Sequence, residues 1–154
     1  MIPFQPGRFP TGEVHSGANL AAASGQTFRK GRVLTRVGAT VQAHPLGSTV
    51  TNVYGVALSP AENGRAIGPD PRVVVARADR ATEFIGQAYR ESTSSIVELD
   101  KATHLGNRYG VVVVDGESYI DIEETTNVLV EIVDIKEELN IAVFKFLEST
   151  LQSP

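Results

Sequence analysis

The feature that most restricts this chain is its succession of short β-branched runs, each closed by turn-forming residues. Val73-Val74-Val75 and Val111-Val112-Val113-Val114 are too short for helices, and side chains branched at Cβ pack well on a pleated surface. Asn63-Gly64 and Asp115-Gly116 are the residue pairs that tolerate positive φ in a two-residue hairpin. The strand signals cover residues 27–36 around Gly31, 37–43 after a turn at Gly38, 52–59, 72–78, 82–89, 109–114, 117–122, 127–134 and 142–147. Within 52–59, alternation puts Val53, Gly55 and Ala57 on one face and Tyr54, Val56 and Leu58 on the other. Gly68-Pro69-Asp70-Pro71 reads as a loop and residues 90–95 as a polar connector. Residues 93–102 read as a short helix or extended chain, and 135–139 as a helical turn or a loop. Several short strands with repeated turn signals predict a mainly β fold, a small barrel or a sandwich.

Residues 1–24 stand apart. They hold three prolines and three glycines with no period. Proline lacks the N–H donor and fixes φ, which suits extended chain. The expected organisation is an extended N-terminal arm, 1–24, followed by a β-rich domain, 25–154, with a subdivision possible near 90–100. The arm is either a disordered terminus or a segment that docks on a neighbouring subunit through Phe4, Phe9, Val14 and Leu20. Three prolines reduce the freedom of the free arm, and Phe4 and Phe9 are lone apolar anchors.

Composition narrows the function. With 154 residues the chain suits one domain or two very small ones, and 42% hydrophobic content supplies a core. The absence of cysteine removes disulfides, thiolate metal sites and cysteine nucleophiles, and favours a reducing assembly site. A net charge of −4 with scattered Lys and Arg, densest at Arg29, Lys30 and Arg32, argues against nucleic acid as a partner. No apolar run approaches the ~20 residues that span a bilayer, and residues 1–24 lack the apolar stretch of a signal peptide.

The order of features resembles the capsid decoration (cement, head-stabilising) proteins of tailed bacteriophages. TFRKGRVLTRVGATVQAH (27–44) resembles the family's opening Phe-x-x-Gly-x-Val/Leu strand. VYGVALSPAENG (53–64) looks like its Gly-Val/Ile-Ala strand and loop, and VVVARADRATEFIGQ (73–87) like the next pair. In 105–135, Gly106-x-x-Tyr109-Gly110, Tyr119-x-Asp121 and Asn127-x-x-Val130-x-Ile132 are similar to the closing region. NIAVFKFLESTLQ (140–152) is similar to the last strand. The resemblance spans residues 25–152 and is a pattern of glycines and strand residues, not a catalytic motif. It implies a β-tulip-like structural protein without a cofactor, made in the host cytoplasm. Such a protein binds the major capsid protein on the outer surface of the virion as a homo-oligomer, a trimer at three-fold positions. The competing reading is a host- or carbohydrate-binding β module on a virion or cell surface, for which the chain lacks the tryptophan of an aromatic platform.

No motif suggests catalysis. His15, His44 and His104 have no partner at metal-ligand spacing and read as surface or loop histidines. Asp115, Asp121, Glu123, Glu124, Asp134, Glu137 and Glu138 make the C-terminal third acidic. Their spacing matches no calcium loop, so they read as a solvated face. Ser24, Ser48, Ser59, Ser92, Ser94 and Ser95 lie in no Gly-x-Ser-x-Gly and have no evident base, which leaves a small β-barrel hydrolase the least favoured class. The expectation is a non-enzyme with no metal, no cofactor, no nucleic acid and no membrane.

Overall fold

A computed structural model describes residues 2–8, 18–68 and 71–152, and they are mainly β. Five strands close a barrel: β2 (Ala18–Ala22), β4 (Thr40–Ala43), β3 (Val33–Val37), β5 (Gly55–Ala57) and β8 (Val73–Arg77), in that order around the wall. A small hairpin, β6 (Ala61–Glu62) and β7 (Arg65–Ala66), turns at Asn63-Gly64, both with positive φ (49° and 81°) as its type requires. The remaining strands form one eight-stranded open sheet. They are β1 (Gln5–Arg8), β9 (Glu83–Gly86), β10 (Ala88–Arg90), β11 (Ser95–Ile96), β12 (Arg108–Val114), β13 (Glu117–Asp121), β14 (Val130–Lys136) and β15 (Ile141–Phe146). The spatial order is β1-β9-β15-β14-β12-β13-β10-β11. A single helical turn, α1 (Lys101–His104), is capped by the Asp100 carboxylate, which accepts from Thr103 N–H.

Two cores organise these layers. Inside the barrel, Phe28, Leu34, Val41, Tyr54, Ala57, Val73 and Val75 pack together. The second core lies between the barrel wall and the sheet, where Val33, Val56 and Ala76 face Phe84, Ile120, Ile132 and Phe144. β5 is therefore buried on both sides throughout, and β3 and β8 are so at Val33, Leu34, Val75 and Ala76, while their ends at Arg36, Val37 and Arg77 are exposed. This overrides the expected alternation in 52–59. The β5 ladder is interrupted at Tyr54, so Val53 and Val56 share the inter-layer core, and Tyr54 and Ala57 share the barrel core.

The first strand signal is also shortened. Gly31 takes φ 93°, so β3 begins at Val33, and Phe28 makes only an isolated bridge to Ala61. A Cβ on Gly31 would sit 2.9 Å from Phe4 N, a close approach that only glycine permits. Residues 93–102 are mainly extended, with β11 at Ser95–Ile96 and the single turn α1 starting at Lys101, and in 135–139 β14 runs to Lys136 before a 3-10 turn at Glu137–Leu139. The chain passes from barrel to sheet between Arg77 and Glu83, ahead of the subdivision expected near 90–100.

The boundary expected at residue 24 does not separate an arm from a core. β1 pairs antiparallel with β9, Gln5 opposite Ile85, and supplies one edge of the large sheet. Pro6 suits that edge, where its missing N–H breaks no inner ladder. β2 closes the barrel, pairing parallel with β4 (Ala21 opposite Thr40) and antiparallel with β8 (Leu20 opposite Val73).

Candidate interaction surface

The four residues expected to contact a partner have separate fates. Phe4 is fully buried in its own chain, with its ring 4.8 Å from that of Phe144 and in line with Phe84 and Phe146. Burying a ring this size contributes about 1.5–3 kcal/mol, and the tilted aromatic pair adds to it. Ile2 N–H donates to Gln87 Oε1 at 3.2 Å and fastens the segment further. Leu20, half-buried on β2, packs against the barrel core. Docking on another subunit is thus corrected for Phe4, whose ring is enclosed within its own chain, whereas Leu20 keeps part of its side chain exposed. Phe9 and Val14 lie outside the described residues.

Two of the three histidines are corrected as well. His44 is fully buried: its Nδ1 accepts from Leu46 N–H at 2.9 Å, and its Nε2 lies 2.7 Å from Thr51 O. A ring that accepts at Nδ1 carries its proton on Nε2, so the neutral tautomer ties both ends of loop 44–51. Burial pushes its pKa below the ordinary value, against the raising effect of the Thr51 carbonyl. His104, the last residue of α1, is buried, with Nδ1 accepting from Asp100 N–H at 3.1 Å. His15 lies outside the described residues. No sequence signal marks either ring, because the backbone groups that meet them are brought there only by the fold of the loop and the helical turn.

Several carboxylates expected on a solvated face build turns. Glu124 Oε1 accepts from Thr126 N–H and Asn127 N–H at 2.7 and 2.9 Å, and those bonds lower its pKa. Glu123 accepts from Ser92 N–H, with the same effect. Asp134 is held low by Lys136, 3.0 Å away, and by Ile135 N–H. Among the described residues no three His, Asp or Glu converge as metal ligands. Ser59 Oγ is taken up as the acceptor for Val74 N–H.

What faces outward is set by the strand ends. On the barrel, the guanidinium groups of Arg36 at the end of β3 and Arg77 at the end of β8 lie 5.8 and 5.5 Å from the centroid of the Tyr54 ring. The Gln152 side chain bonds both Arg36 N and Arg36 O and fixes that strand end to the C-terminal segment. Val37, beside Arg36, is half exposed. On the sheet, a groove of about 300 Å³ is floored by Ile85, Ile141 and Val143 and bordered by Asp134, Lys136 and Leu139. Leu139 is 61% exposed, more than any other large apolar side chain among the described residues. A more polar crevice of about 410 Å³, between Arg32, Leu46, Val112, Asp121 and Glu124, runs where barrel meets sheet.

No protein-family description, curated protein or solved structure matches this chain.

Proposed function

We propose that this chain is a viral structural protein that binds the outer surface of an assembled capsid and stabilises it, as a homo-oligomer at three-fold positions. The observation that carries the reading is where the exposed large aliphatics stand. Val37, Ile67, Ile96, Leu105 and Leu139 each project from a turn or a strand end and do not gather in one cleft. That distribution suits adhesion through many small contacts, with rigid strands holding each contact in place. The likeness of residues 25–152 to the decoration proteins supports the same reading. A ligand that binds the assembled shell but not its separated subunits stabilises the shell by linkage, and repetition over a lattice multiplies weak contacts.

Co-sedimentation tests it. The purified protein is expected to pellet with assembled empty capsids and to stay in solution with unassembled capsid subunits. Failure to pellet with the assembled shell at micromolar concentration refutes the proposal.

A further inference from the structure

The charge of this chain is divided between its two structural units. Residues 18–82, the barrel and its hairpin, carry eight Lys or Arg against three Asp or Glu, net +5. Residues 83–154, which supply seven of the eight strands of the sheet, carry five against fourteen, net −9. Arg29 reaches across to Glu117 at 3.1 Å, but 64% of the Arg29 side chain stays exposed. Arg36 and Arg77, at the ends of β3 and β8, lie over the buried Tyr54 ring at one end of the barrel, and Glu137 and Glu138 directly precede Leu139 on the 3-10 turn beside the sheet groove.

The two patches also match in apolar character. At the barrel end, an exposed aliphatic, Val37, follows Arg36; at the groove, an exposed aliphatic, Leu139, follows Glu137 and Glu138. Lys136 at the groove border does not reverse its sign, because its ammonium pairs with Asp134 at 3.0 Å. Glu137, exposed on the turn, accepts from Lys101 N–H through Oε1.

We infer that the groove bordered by Leu139 is the docking surface for the Arg36–Val37–Arg77 end of the barrel in a second copy of this chain. The argument for that occupant is complementarity in charge, with an exposed aliphatic on each side: the same chain carries both halves of the contact on different units. Basic barrel on acidic sheet is a head-to-tail contact, and such contacts close into rings when the rotation permits. Val37 and Leu139 are then covered by the partner copy, which leaves Ile67, Ile96 and Leu105 to face outward. This inference rests on the oligomer in the proposed function and not on capsid binding.

Sedimentation equilibrium on the full chain tests it. The wild type is expected to self-associate at 50 mM NaCl and to weaken about tenfold or more at 500 mM, as screening of exposed opposite charges requires. R36E/R77E and, separately, E137K/E138K are expected to sediment as monomers. The four-site exchange R36E/R77E/E137K/E138K restores opposite signs across the contact and is expected to associate again. Circular dichroism melts identify a variant that fails to fold, and the wild-type salt series needs no variant. A wild type that is monomeric at low salt overturns the inference. So does association that ignores both salt and charge reversal, or a four-site variant that stays monomeric. Salt-insensitive association with normal capsid retention removes this contact alone, and lost retention with salt-sensitive association removes the capsid reading alone.

Discussion

A two-site cycle at Phe4 and Gly86 measures whether the N-terminal segment belongs to the core of its own chain. Phe4 is fully buried, and truncating such a ring to alanine costs about 3–5 kcal/mol through lost transfer energy and the cavity left behind. Gly86 lies directly beneath it. A Cβ at position 86 would meet Phe4 Cδ1 and Cε1 at 2.5 Å and Phe144 Cε1 at 3.2 Å, well inside normal contact. Gly86→Ala should therefore cost about 1–3 kcal/mol by overpacking. In the Phe4→Ala background the ring is gone, and the new methyl enters the space it left. The second substitution should then cost under about 1 kcal/mol, a coupling of about 1–2 kcal/mol between residues 82 positions apart. Equilibrium urea unfolding of the four proteins at two protein concentrations supplies the numbers. Additive costs within about 0.5 kcal/mol, or a Phe4→Ala penalty that depends on protein concentration, refute the intramolecular packing.

Two further outcomes follow from single side chains. His44 is held neutral by burial, so its folded pKa lies below the unfolded value of 6.5; the unfolded chain takes up the proton first. Its contribution is complete above that value and is lost as pH falls through it toward the folded pKa, so thermal stability should drop as pH falls below 6.5, and His44→Gln should flatten that drop; an unchanged slope refutes the assignment. The carboxylates with lowered pKa, Glu123, Glu124 and Asp134, act in a separate and lower window, where their stabilisation is lost as pH falls through their folded values. Asn140 has φ 52°, accepts from Leu99 N–H at 2.8 Å and donates to Val97 O at 3.0 Å, tying the extended segment 97–99 to the β14–β15 turn. Asn140→Gly keeps the backbone freedom and loses both bonds, about 1–3 kcal/mol; Asn140→Ala adds left-handed strain of about 1–2 kcal/mol, so urea unfolding should rank alanine below glycine.

The sequence by itself determined which segments are strands wherever the signal is local. Asp115-Gly116 turns at φ 51° and 81° as a hairpin pair must, and Val114 faces Glu117 across it. The runs 72–78, 109–114 and 142–147 became strands because branched side chains and a period of two act over a few residues. Tertiary structure decided everything that depends on two remote segments meeting. β1 has a proline and a glycine at its centre and no alternation, and it is a strand only because β9 offers an edge some 80 residues later; β2 is a strand because the barrel lacks one wall between β4 and β8. Phe4 looks like an anchor awaiting a partner until Gly31 and Gly86, both without a Cβ, open the space that receives it. His44, next to a proline, looks like a loop histidine until Leu46 N and Thr51 O close around its ring. The charge division was present in the residue order, but it acquires meaning only when the basic stretch closes into one unit and the acidic stretch spreads into another. Local propensity acts over one turn or one pair of strands, whereas burial and charge fields depend on distances in space, which the order of residues does not contain.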